Sequence, residues 1–205
     1  MRSAAPRVSR PGPRFGTPVR AVPFPRRARL ARGACLRRAP PYAATVAAWV
    51  CSFPVDRLIQ SLNYAGRRAL AEPMAEALAS AVARPCPALP RAIVPLPLSR
   101  SRQRERGFNQ AQGIARRVAK MTGLPLTGGR RRTLDGPAQA ALASNARART
   151  VRHAFAADAS LRGATIAIVD DVMTTGSTLA AAARVALRAG AVRVDAWVVA
   201  RTPPP

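Results

Sequence analysis

The stretch Ile166-Ala167-Ile168-Val169-Asp170-Asp171-Val172-Met173-Thr174-Thr175-Gly176-Ser177-Thr178 decides how the rest of the chain is read. Four apolar residues lead into two adjacent carboxylates, and a Thr/Gly/Ser run then opens an alanine-rich segment. That order predicts a buried strand over Thr165–Val169, a polar loop, and a helix near Ser177–Ala189 ended by Gly190. The start of such a helix presents backbone N–H groups and the positive end of the helix dipole, which suit a phosphate dianion. Gly176 lets the backbone come close to that phosphate. The hydroxyls of Thr174, Thr175, Ser177 and Thr178 can donate to its oxygens. The two acids can accept from a pair of ribose hydroxyls or face a hydrated magnesium ion. The stretch reads as a cradle for a sugar phosphate.

Working outward, residues 92–96 (Ala92-Ile93-Val94-Pro95-Leu96) read as a short buried strand that Pro95 and Pro97 stop. A loop bearing Arg100, Arg102, Arg104 and Arg106 follows. Gly107 then begins a helix through about Met121, with Ile114, Val118 and Met121 on its inner face and Gly123 as its C-cap. Residues 54–84 look helical in two segments parted by Gly66. One segment carries Leu58, Ile59 and Leu62, and the other carries Leu70, Met74, Ala77, Leu78 and Val82 at three- to four-residue spacing. Residues 128–150 are polar and glycine-containing and read as a long mobile loop. A last strand covers Val192–Val199. Strand, helix, strand, helix, strand predicts an α/β fold, an open and mostly parallel sheet flanked by helices. In such sheets ligands sit beyond the carboxyl ends of the strands. The acid pair and the Arg100–Arg106 loop should then face one crevice.

Composition sets the outer bounds. A chain of 205 residues can hold one α/β domain with a real core and an appendage. Its basic residues are almost all arginine, since Lys120 is the single lysine, and this together with many Ala and Pro suggests a GC-rich genome. The formal charge of +25 nevertheless attracts polyanions and steers them to the surface. No acid occurs before Asp56. Residues 1–41 are Arg- and Pro-rich with little apolar periodicity, so disorder is expected there. An acid-free, Arg-rich N-terminus also resembles an organellar transit peptide, although dense prolines oppose the amphipathic helix that one needs. A start lying elsewhere is the third reading. No apolar run approaches the roughly 20 residues that span a bilayer, and no secretory apolar region is present. A soluble cytoplasmic protein without membrane insertion is expected.

Three scattered cysteines, Cys35, Cys51 and Cys86, argue against a disulfide framework. With His153 as the single histidine, no complete four-ligand zinc site can be read, so zinc is not expected. The same scarcity removes most Ser/His/Asp and Cys/His schemes of catalysis.

Three segments now converge on one family. Ile166–Thr178 resembles the phosphoribosyl-pyrophosphate (PRPP) signature of type I phosphoribosyltransferases. Val94-Pro95-Leu96-Pro97, then Arg100, then Arg104-Glu105-Arg106-Gly107-Phe108-Asn109-Gln110 resembles the ComF/GntX branch of that superfamily. The run Arg132-Thr133, Gln139, Leu142, Arg149 and Ala154-Phe155 is similar to the flexible-loop region of that branch. Val55-Asp56-Arg57 and Leu62-Asn63-Tyr64 resemble its linker helix. The likeness covers roughly residues 35–202. It implies a disordered basic segment with a zinc-ribbon remnant over 1–41, a helical linker or hood over 42–90, and a phosphoribosyltransferase core over 91–205. Members of the branch usually carry a four-cysteine zinc ribbon. Here Cys35 alone fits it, with Arg32 where a partner cysteine would stand, so the ribbon is read as lost or truncated. Asn63 stands where the branch often has Lys, and Thr150 where it often has Asn.

The resemblance also implies roles. Asp170 and Asp171 would hold the ribose hydroxyls of PRPP, directly or through magnesium-bound water, as the catalytic acids. Met173, Thr174, Thr175, Gly176, Ser177 and Thr178 would hold the 5-phosphate. Pro97, Arg100, Arg104 and Arg106 would meet the pyrophosphate, with arginine offering bidentate donors. Thr133, Gln139 and Arg149 would belong to a loop that closes over the site and excludes water. Magnesium would enter with PRPP, held by PRPP and water, with Asp170 or Asp171 as the candidate protein contacts. The branch is associated with natural transformation. Single-stranded DNA, a DNA-uptake helicase and a second copy of the chain are the macromolecular partners this brings into view. Two function classes stay open: a phosphoribosyltransferase acting on an unassigned acceptor, and a single-stranded nucleic-acid-binding protein that uses the fold without transferase catalysis.

Overall fold

A computed structural model describes residues 22–23, 39–64, 68–83, 89–98, 104, 107–127 and 161–202. The strands are β1 (Val22–Pro23), β2 (Ala44–Val50), β3 (Ala92–Pro95), β4 (Thr165–Met173) and β5 (Arg193–Arg201). The helices are α1 (Val55–Tyr64), α2 (Ala71–Val82), α3 (Gln110–Thr122) and α4 (Ser177–Arg188), with a short 3-10 turn at Arg68–Leu70 before α2.

The strands form one sheet in the order β1-β2-β5-β4-β3. β2, β5, β4 and β3 run parallel, and only β1 is antiparallel, on the β2 edge. The apolar run of β4 makes it a central strand: Ile166 to Val169 are buried on both faces, as parallel strands covered by helices must be. On one face Ile166 and Ile168 pack with Leu179, Ala182, Ala183 and Ala186 of α4. On the other, Ala167 and Val169 pack with Ile59 and Leu62 of α1, Met74 and Leu78 of α2, and Ile114 and Val118 of α3.

The split of helices between faces follows from connection handedness. After α3 the chain returns at Leu126, which lies parallel to Ile93 on the side of β3 away from β4. Pro125 O accepts from Ile93 N at 2.8 Å and Ile93 O from Thr127 N at 2.9 Å. The connections from β2 to β3 and from β3 to Leu126 therefore cross the sheet in one direction, and the connection from β4 to β5 crosses in the other. Right-handed crossovers then put α1, α2 and α3 on one face and α4 on the opposite face. The direction changes between β3 and β4, so a topological switch point opens at their carboxyl ends.

Four differences from the sequence reading are structural findings. Residues 44–50 lie within the segment expected to be helical, yet form β2 beside β5. The stretch Ala44-Thr45-Val46-Ala47-Ala48 is buried on both faces, and so short an apolar run has no period that separates strand from helix. The central strand extends to Met173, so Asp170 and Asp171 sit inside its last turns of pleat and not in a loop. Met121 is 51% exposed, because α3 turns its last turn past the core edge before Gly123 ends it in the left-handed region. Within residues 1–41, expected to be disordered, Val22–Pro23 instead pair as β1 along the edge of β2. The zinc-ribbon remnant at Cys35 and the loop at 128–150 lie outside the described residues.

Candidate phosphate cradle at the switch point

The site is built where β4 hands over to α4. Thr174 and Thr175 turn the chain, and Gly176 occupies the helix N-cap at φ +72°. This is the left-handed region, where any residue with a Cβ is strained. A Cβ on Gly176 would also stand 2.9 Å from the hydroxyl oxygen of Tyr42, which closes the space behind it. Glycine has no side chain with which to cap the helix, and no side-chain cap bond forms there. The amides of Thr178 and Leu179 in the first turn of α4 thus meet no cap side chain, and they point out of the helix end. Thr175 Oγ1 donates to Ser177 Oγ at 3.1 Å and accepts from Ser177 N at 3.4 Å, which holds the turn in shape. Asp170, Met173, Thr174, Thr175, Gly176, Ser177 and Thr178 all line the resulting open depression of about 230 Å³. Thr174, Thr175 and Ser177 are exposed in it, while Met173 is buried beneath.

The two acids part company. Asp170 lines the depression, and its Oδ1 accepts from Asp171 N at 2.9 Å. Asp171 is held on the α1 side of the sheet: Oδ2 accepts from Asn63 Nδ2 at 2.8 Å, and Oδ1 accepts from Val172 N at 2.8 Å. Side chains alternate across a strand, so adjacent acids must address opposite faces. Cys51, at the end of β2, lies close enough to feel both acids of that side. Its thiol is raised above the ordinary value, chiefly by partial burial and then by the charges of Asp56 and Asp171. A thiol kept protonated in this way is not an activated nucleophile.

The neighbouring strand end completes the crevice. Leu96 N donates to Val169 O at 2.8 Å, which brings half-buried Pro97 alongside the end of β4. Asn109 caps α3: its Oδ1 accepts from Gln112 N at 3.3 Å and its Nδ2 donates to Leu96 O at 3.1 Å. That second bond ties the start of α3 back to the end of β3 and closes the base of the loop between them. Arg104 is exposed. Arg100, Arg106, Thr133, Gln139 and Arg149 lie outside the described residues. The sequence reading did not single out Tyr42 behind Gly176, or Asn109 as a clamp. Asn63 carries only a resemblance to a linker helix, and its partner Asp171, 108 residues away, leaves no local signal.

Among the described residues no group of three or more His, Cys, Asp and Glu side chains could hold a metal ion by itself. The donor set present, one carboxylate beside helix-start amides, fits a magnesium ion that arrives on phosphate oxygens and keeps several waters. No helix among them is long and apolar enough to cross a membrane.

A mostly parallel sheet with an open helix start and a carboxylate at its switch point defines an α/β protein built to take a phosphate. The model of the phosphoribosyl transferase domain matches residues 70–204. The chain is 33% identical to the DNA utilization protein YhgH of Salmonella typhi over 175 residues, 83% of this chain and 77% of that one. It is 29% identical to Competence protein F of Haemophilus influenzae over 177 residues, 82% and 77% of the two chains. A solved structure of the allosteric regulatory enzyme of purine biosynthesis aligns with a TM-score of 0.41 at 16% identity, over 68% of this chain and 30% of its own. The chain belongs to the ComF family within the phosphoribosyltransferase superfamily.

Proposed function

We propose that this chain binds PRPP or a related ribose phosphate, together with magnesium, between the ends of β3 and β4, and that it serves DNA uptake or processing. One observation carries the ligand: the start of α4 is capped by a glycine, so its amide donors are left for a ligand, and a carboxylate lines the same depression. The 5-phosphate sits against the amides of Thr178 and Leu179, where the helix dipole favours a dianion. Thr174, Thr175 and Ser177 add hydroxyl donors. Asp170 accepts from a ribose hydroxyl. Magnesium, when bound, neutralises the pyrophosphate so that it can depart as a nucleophile attacks the anomeric carbon. Pro97 and the residues after it shape the pyrophosphate side of the crevice. The DNA role is supported by relatives named for DNA utilization and competence, and by the charge of +25.

A second reading, binding without transfer, draws on a specific feature. Both carboxylate oxygens of Asp171 are already engaged by the chain, so one acid in place of two faces the depression. Titration calorimetry of PRPP with and without magnesium tests the first reading. Asp170→Asn should weaken magnesium-dependent binding at least about tenfold, the loss of one good electrostatic contact. Wild-type protein with no PRPP affinity at either condition rejects the ligand. Binding without pyrophosphate release across a panel of acceptors selects the second reading.

A further inference from the structure

The amino-terminal edge of the sheet, at the far end from the cradle, holds a second depression. Arg91 precedes β3, Arg162 lies three residues before β4, and Thr127 follows the bridge at Leu126; all three line it. It is an open depression of about 560 Å³ counted with the solvent at its mouth, against about 230 Å³ for the cradle counted the same way. The nine residues of β4 separate the two ends by roughly 26 Å at about 3.3 Å per residue. One ribose phosphate cannot touch both.

The lining has the character of an anion site. Arg91 and Arg162 are both exposed, and none of the residues around the depression is acidic. Among the described residues the salt bridge that forms is Arg193 with Asp195, so neither arginine is neutralised by a carboxylate there. Thr127 carries a hydroxyl with almost no solvent exposure and no hydrogen-bond partner among the described residues. A buried hydroxyl without a partner is uncommon and asks for one. Rotation of Thr127 about χ1 would bring this hydroxyl to a phosphate oxygen while two guanidinium groups meet the charge. Gly163, at φ +69°, has nothing within 4 Å of where a Cβ would stand, so the floor is open to close approach.

The geometry points to a docking pocket, formed by Arg91, Arg162 and Thr127, for one backbone phosphate of a single-stranded nucleic acid whose course passes the edge of the sheet opposite the cradle. The inference rests on the nucleic-acid part of the proposed function. A flexible polyanion is the occupant because the chain as a whole carries a formal charge of +25 and single strands are tracked by arginine grooves.

Fluorescence anisotropy with a labelled single-stranded oligonucleotide across a salt series tests it. The double variant Arg91→Ala/Arg162→Ala should bind about tenfold more weakly, with a log–log salt slope shallower by about 0.7 for the one phosphate released. Thr127→Val should weaken binding severalfold without changing the slope. Arg57→Ala/Arg116→Ala removes the same charge from exposed positions on α1 and α3 and should change affinity less than about twofold. Magnesium-dependent PRPP binding should be unchanged in the Arg91/Arg162 variant. Equal losses from the two double variants, or no loss from the first, overturn the pocket while leaving nucleic-acid binding in place. Wild-type protein that does not bind the oligonucleotide overturns the nucleic-acid reading and the pocket with it. Inorganic phosphate that binds wild type but not the Arg91/Arg162 variant, while the two bind the oligonucleotide equally, identifies a small-anion site and overturns the polymer occupant.

Discussion

At the scale of single residues, Gly176 bears the heaviest constraint. Its backbone sits in the left-handed region, which costs about 1–2 kcal/mol for a residue with a Cβ. The added methyl would also crowd the Tyr42 hydroxyl. Gly176→Ala should lower stability by about that amount in urea unfolding, and lower PRPP affinity by more than the stability loss explains, because the amides it positions would shift. The sequence announced Gly176 and the hydroxyls around it, since their run is contiguous. It could not announce Tyr42 or Asn63, which reach the site from distant positions. Asp195 is a second case. It is 1% exposed, and burial raises its carboxyl above the usual value while the Arg193 guanidinium, 3.0 Å away, works against that shift. A raised folded-state value means that this group's stabilising contribution is full below its unfolded value and is lost as the pH climbs through the folded one. The stability of Asp195→Asn relative to wild type should therefore improve as the pH climbs above about 4, followed by urea midpoints at each pH. A flat difference would mean that Arg193 fully offsets the burial.

Elements add what no residue has alone. α3 shows it: Ile114 and Val118 are fully buried against β4, while the Asn109 cap joins α3 to the end of β3. Ile114→Ala should destabilise the fold by about 2–5 kcal/mol, the range for removing a large buried aliphatic side chain, measured by chemical denaturation. The boundaries of α3 were legible because Asn109 and Gly123 are strong start and stop signals and the apolar spacing between them is helical. β2 was not legible. A short run of Ala, Val and Thr has no decisive period, and it becomes a strand because β5 offers a parallel edge for it to pair with. The acid pair shows the same limit in reverse: adjacency in sequence suggests joint action, yet the pleat sends Asp170 to the cradle and Asp171 to Asn63.

Over the whole molecule, charge and topology set the behaviour. A chain of charge +25 that holds single-stranded nucleic acid through arginine should lose affinity steeply with salt, with a log–log slope near −0.7 for each phosphate contacted. A salt-independent affinity would assign binding to stacking, for which aromatics at 4% of the chain offer little surface. Sequence by itself determined the α/β class, the order of the central strands and helices, and the composition of the phosphate cradle, because each is written in contiguous residues whose spacing obeys local geometry. Tertiary structure alone decided which acid faces the cradle, which hydroxyl stands behind Gly176, where the direction of crossing changes, and that two arginines distant in sequence flank one depression. Those outcomes depend on how strands far apart in the chain lie side by side, and the packing that brings them together is not encoded in the spacing of any one segment.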